Sequence, residues 1–239
     1  GNDSWSGRRP APNSRRTDGP FATLIRARNE IRQLCSKKSC LVLLRGGLYM
    51  LDKPFVLTHL DSGRSDAPIT YAGYPGEIPV ISGGIVVSGW KKEKVNKRFA
   101  WVARAPAWPF HQLWINEGRR QRTRLPKEGF YRIVRPTEGA DWYEGTKKFY
   151  VRQGDVKCWR NLEDVEMVLL TSWVESRMSI ESVQENKGIV TTRLRSAIAP
   201  SEGSRYYIEN VFEALTEPGT WYCDRKSQKL YYIPFEGED

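Results

Sequence analysis

Asp164 and Glu166 stand two residues apart in a strand-like run, and a period of two would put both carboxylates on one face. Two carboxyl groups facing across a sugar linkage are the usual machinery of glycosidic bond cleavage, roughly 5–5.5 Å apart for retention and 6.5–9.5 Å for inversion. The competing reading of the same pair is a solvated strand face. Asp61, Asp141, Glu144 and Glu175 are isolated acids with no partner visible in the sequence.

Arg119, Arg120, Arg122 and Arg124 form the densest basic cluster, and on a strand Arg120, Arg122 and Arg124 share a face. Guanidinium forks match carboxylate and sulfate groups, so the row could grip an acidic glycan. Alternatively it makes salt bridges between the basic and acidic halves of the chain. Nine tryptophans and eleven tyrosines are many for 239 residues. Trp108, Trp114, Trp142, Tyr143, Trp159 and Trp173 offer flat faces that could stack on sugar rings, or large apolar bodies for a core. Trp142 and Tyr143 favour the first role, because a polar Gly/Asp/Glu-rich loop has little other use for two large aromatics.

Other chemistries lack their residues. The four cysteines (35, 40, 158 and 223) form no C-x-x-C, and the two histidines (59 and 111) lie far from them in sequence, which argues against zinc. No Ser-His-Asp set, phosphate-binding loop or dinucleotide fingerprint is present, and no acidic cluster suits calcium. Neither a metal nor a cofactor is expected. Cys35 and Cys40 flank a Ser-Lys-Lys-Ser turn and could close a small loop, or all four could be buried free thiols.

The net charge of +10 is unevenly placed: residues 1–135 hold 25 basic and 10 acidic side chains, a net +15, against −5 for the remainder. A basic surface could attract an acidic polysaccharide or simply keep the chain soluble. Nucleic-acid binding would need a recognisable module, and only the charge is present. Mean hydropathy is −0.58, and no run approaches the roughly 20 apolar residues of a membrane span. The chain opens on polar Gly1-Asn2-Asp3, so a leader was either never present or removed.

These residues need elements to position them. Residues 19–34 read as a helix, capped by Thr17 or Asp18 with Pro20 in its first turn, and with an apolar stripe of Phe21, Leu24, Ala27, Ile31 and Leu34. The run 41–44 suits a strand buried on both faces. Short strands are expected at 48–51, 55–57, 69–71, 80–81 and 85–87, then a basic surface loop at 91–98. Strands at 99–103 and 112–116 lead to a Glu117-Gly118 turn with its return strand at 119–125. From about residue 130 the texture changes to longer alternating strands at 148–152, 165–171, 178–183 and 188–192, with a short helix at 208–215 and strands around 221–223 and 230–233. This predicts two parts, residues 1–129 and 130–239.

Several segments together resemble bacterial proteins of the glycoside hydrolase family 141 type. They are GNDSWSG at 1–7, DGPFATL at 18–24, ARNEIR at 27–32, RGGLY at 45–49, DSG at 61–63 and PITYAGYPGEIPVISGG at 68–84. The element at 116–126 matches with Glu117 inserted before the glycine and Thr123 in place of the usual alanine. Residues 161–173, 205–215 and 218–234 resemble that family's insertion module. The resemblance implies a mainly β fold: a capping helix and the first coils of a right-handed parallel β-helix of the pectin-lyase-like kind, followed by a β-rich insertion module. It further implies a secreted or periplasmic protein acting on polysaccharide, whose catalytic carboxylates lie on later coils, so that this chain alone is expected to be inactive. Two other readings are a non-catalytic glycan-binding or architectural fragment and a polysaccharide lyase acting on acidic glycans. The oligomeric state is left open.

Overall fold

The computed structural model describes residues 1–34, 38–137 and 141–238. The chain is mainly β and divides into two compact units, Gly1–Val86 and Val87–Asp239.

In the first unit, helix α1 spans Leu24–Leu34, shorter than the predicted 19–34. The physical reason is the cap. Thr23 Oγ1 accepts from the Arg26 amide at 3.1 Å, while Asp3 accepts from the Ala22 and Thr23 amides at 2.8 and 2.9 Å. Asp18 is occupied instead in the preceding loop, where it accepts from the Ser6 and Gly19 amides. Strands β1 (Cys40–Leu44), β2 (Gly47–Met50), β3 (Ile69–Gly73) and β4 (Pro79–Ser82) follow. β1 pairs with β3 and β2 with β4, both in parallel. Two arginines tie these elements down: Arg32 forks onto Asp61 at 2.6 and 2.7 Å, and Arg45 onto Glu77. Residues 55–57 and 85–87, predicted as strands, form none. The run 41–44 is not buried on both faces either. Leu44 is buried, but Leu41 and Leu43 are exposed, because a two-stranded ladder covers its strands only in part.

The second unit holds two larger sheets. Its strands are β5 (Lys91–Val95), β6 (Arg98–Arg104), β7 (Leu113–Ile115), β8 (Gly118–Arg122), β9 (Arg124–Leu125), β10 (Tyr131–Arg132), β11 (Lys148–Tyr150), β12 (Glu166–Leu170), β13 (Glu175–Gln184), β14 (Ile189–Thr192), β15 (Arg205–Glu209), β16 (Thr220–Asp224) and β17 (Lys229–Tyr232). The six-stranded sheet runs β5-β6-β17-β16-β8-β7. The seven-stranded sheet runs β10-β15-β12-β13-β14-β11, with β9 also on β15. The change of texture near residue 130 was expected to mark a division; the contact division falls between Val86 and Val87, and β6 and β8 pair with β17 and β16 from beyond that point.

Period-two alternation explains the cores. Trp221, Cys223, Leu230 and Tyr232 pack to one side of the six-stranded sheet, and Tyr222 and Tyr231 to the other. In the seven-stranded sheet Met167, Leu169, Met178, Ile180, Tyr206 and Ile208 form the inner face. Residues 91–98, expected as a loop, begin with strand β5, an edge strand whose three lysines are exposed. Of residues 208–215, expected as a helix, 208–209 end β15 and only Phe212–Ala214 is helical, as a 3-10 turn.

Candidate functional site

The arginine row sits where the chain crosses from one sheet to the other. Asn116 and Glu117 both have positive φ, 49° and 63°, and make the tight turn between β7 and β8 one residue earlier than predicted. Along β8, Arg120 and Arg122 point inward while Arg119 and Gln121 are exposed. At Thr123 the chain leaves the six-stranded sheet. The Thr123 amide donates to the Trp221 carbonyl at 2.8 Å, and its carbonyl accepts from the Asn210 amide at 2.9 Å. β9 then pairs with β15 of the seven-stranded sheet. The three arginines therefore straddle two sheets rather than lining one.

Each guanidinium has a different setting. Arg120 donates to the Tyr232 hydroxyl at 2.9 Å, pairs with Glu238 and lies 5.3 Å over the Phe235 ring. Arg122 is buried. It pairs with Glu166 at 2.5 Å, reaches Glu209 at 3.6 Å and donates to Asn210 Oδ1 at 3.3 Å. Arg124 donates to the Gly129 carbonyl at 2.6 Å and lies over Tyr207 at 4.3 Å.

The two predicted acids separate. Asp164 ends the 3-10 turn Leu162–Asp164, and Glu166 begins β12. Asp164 accepts from Arg225 through both Nε, at 2.5 Å, and the backbone amide, at 2.9 Å. Glu166 accepts from Arg122 and, at 3.3 Å, from Arg177, while His111 Nε2 lies 3.1 Å from its other oxygen. Arg177 also pairs with Glu209 and Glu175. Burial pushes the Glu166 pKa up, but the Arg122 charge and the His111 bond outweigh it and hold the carboxyl below its ordinary range. A general acid for glycoside cleavage needs the opposite shift. What this arrangement does is clasp two carboxylates between two guanidiniums and lock the sheets together.

Asn210 completes the clasp. It is fully buried at φ 60°, and its side chain bonds the Asp164 carbonyl, the Cys223 carbonyl and the Cys223 amide. Sequence reasoning missed Asn210, Arg177, Glu209 and His111. The charges of Glu175-x-Arg177 and Arg205-x-x-x-Glu209 alternate with buried residues, and that was the available signal.

The aromatics divide. Trp159 packs against the inner core of the seven-stranded sheet, while Trp108 and Trp114 are exposed. Trp142 and Tyr143 are 63% and 60% exposed and meet edge-to-face, with ring centres 5.7 Å apart. Their loop is pinned rather than loose: the Ala199 amide donates to the Trp142 carbonyl at 2.8 Å, and the Ser196 amide to the Thr146 carbonyl at 2.9 Å. Trp173, 80% exposed, sits in the turn between β12 and β13.

Among the described residues no group of three or more His, Cys, Asp or Glu converges as a metal ligand set. Cys158 and Cys223 are free thiols, and burial pushes Cys223 up to about 11. Cys40 is disulfide-bonded; the expected Cys35–Cys40 pairing falls on Cys35, outside the described residues.

Fold and site thus define a mainly β protein whose second unit carries exposed aromatics above a locked ionic interior. A family model described as the GH141 insertion domain matches residues 195–235. A solved structure described as "Glycoside hydrolase" is similar over 100% of this chain, with a TM-score of 0.75 and 28% identity, and the chain spans 43% of that structure's length. No curated protein matches the chain. Over its full length the chain is thus similar to a glycoside hydrolase.

Proposed function

We propose that this chain is part of a polysaccharide-degrading glycoside hydrolase of the family 141 type. In this reading residues 1–129 open a right-handed parallel β-helix and residues 130–239 are its insertion module, built onto strands that precede it. The likeness to a glycoside hydrolase along the whole chain carries the reading, and the parallel β1–β3 and β2–β4 ladders support a β-helical start. The polymer is met outside the cytoplasm, by a secreted or periplasmic protein.

The second unit contributes glycan contacts rather than the catalytic pair. Trp142 and Tyr143 present flat apolar faces on a pinned loop, where sugar rings stack. Asp164 and Glu166 are each clamped by arginine, so the catalytic carboxylates belong to other parts of the hydrolase.

The test is to incubate the 239-residue chain with fucosylated and xylosylated plant glycans, then to run it through gels containing the same glycans. No new reducing ends should appear, and the gels should retard the chain. Robust hydrolysis would overturn the placement of catalysis elsewhere, and unretarded migration would overturn the glycan contacts. Unsaturated, ultraviolet-absorbing products would replace the hydrolase with a lyase.

A further inference from the structure

The outer face of the seven-stranded sheet carries a charge arrangement that the ionic clasp does not use. Arg132 and Arg205 stand directly opposite each other in the antiparallel β10–β15 ladder. Like charges at directly opposed positions destabilise such a pair. Both residues are exposed, and among the described residues neither has a carboxylate partner. Arg132 donates instead to the Gly203 carbonyl at 2.9 Å. The Arg205 guanidinium lies 5.1 Å over the ring of Phe130.

Arg124 joins them. Its guanidinium lies 5.5 Å from the centre of the same Phe130 ring, and the Gly129 carbonyl holds one of its terminal nitrogens. Its Nε is buried without a hydrogen-bond partner. The acid opposite it in the ladder, Glu209, is taken by Arg177. Glu128 and Glu202, next in sequence to the anchoring carbonyls, pair with none of the three arginines. A carbonyl orients a guanidinium but does not neutralise it: the Arg124 and Arg205 guanidiniums lie over one partly exposed ring, and Arg132 stands opposite Arg205 in the ladder. Arg120 and Arg122 differ, because carboxylates already saturate them.

We propose that Arg205 and Arg132, opposed in the β10–β15 ladder, together with Arg124, which shares the Phe130 ring with Arg205, bind an anionic substituent of a glycan, a sugar carboxylate or sulfate. Planar forks suit either anion, since both offer oxygens in a bidentate arrangement. The proposal rests on the glycan-directed reading above and assigns the acidic group a place within it.

Affinity electrophoresis of the whole chain tests it, with polygalacturonate, dextran sulfate and neutral xyloglucan as probes. Retardation by polygalacturonate alone assigns a carboxylate, and retardation by dextran sulfate alone assigns a sulfate. Arg132→Ala with Arg205→Ala should weaken binding to the retarding acidic polymer by about tenfold or more, while xyloglucan binding and the melting temperature hold. Arg205→Lys should also weaken it, because an ammonium cannot reproduce the fork. Lys91→Ala with Lys94→Ala removes the same charge from a distant edge and should leave binding unchanged. An equal loss in that control, or no loss in the arginine pair, overturns the site. Absence of retardation of the wild-type chain by all three polymers overturns the glycan reading itself.

Discussion

Arg122 and Glu166 meet at 2.5 Å in a buried ion pair, although one lies on the six-stranded sheet and the other on the seven-stranded sheet. The pair joins two groups that look, in sequence, like parts of separate sites. Arg177 and Glu209 extend it into a network, and a buried network held on all sides tolerates the loss of a member poorly.

Glu166→Ala or Arg122→Ala alone should therefore destabilise the chain by about 3–5 kcal/mol, since each leaves an uncompensated buried charge. Glu166→Ala combined with Arg122→Ala should cost clearly less than the sum of the singles. Urea unfolding of the four proteins of the cycle measures both quantities. Additive losses would mean that the two side chains act independently.

The pH dependence of stability follows from the same carboxylate. The Glu166 pKa is depressed on folding, so its contribution is fully present above its unfolded value of 4.5 and is lost as pH falls through the lower folded value. In the first unit Arg32 holds Asp61 far below the ordinary carboxylate range, so Asp61 acts in the same direction. Stability should be nearly flat from neutrality to about pH 5 and decline below it. Glu166→Gln should flatten that decline. Melting temperatures across pH 3–8, taken at roughly constant salt, test both.

Trp142→Ala and Tyr143→Ala should leave stability within about 0.5 kcal/mol, because both rings are largely exposed. Each should reduce retardation in glycan gels. Unchanged mobility in the double variant would remove these residues from the glycan surface.

Gly145 supports that surface from below. Its φ is +65°, and a Cβ there would overlap the Ser196 carbonyl oxygen. Gly145→Ala should destabilise by about 2 kcal/mol or more and weaken glycan retardation with both aromatic side chains intact. Hydrogen exchange at the Ser196 and Ala199 amides, which donate to the Thr146 and Trp142 carbonyls, would report the loosened loop.

Local pattern was enough wherever one element settled the matter. The apolar runs within 166–170 and 221–223 announced strands, and the polar setting of Trp142 and Tyr143 announced exposed rings. Capping was less legible. Thr17, Asp18 and Thr23 are all acceptable caps, and what selects Thr23 is Asp3, about twenty residues away in the chain. The basic run 91–98 reads as a loop because lysine is a poor strand former, yet an edge strand with one exposed side accepts it.

What the sequence determined by itself is the β-rich character, the alternation along each strand and the aromatic loop, because these depend on residues close together in the chain. Which charges meet was decided only by the tertiary structure. Arg122, Glu166, Arg177 and Glu209 come from four strands, and a period of two says which face a side chain takes, not which strand lies beside it. The crossing at Thr123 moves Arg124 away from its neighbours to a second sheet, so carboxylate-paired Arg120 and Arg122 part from Arg124, which the Gly129 carbonyl holds.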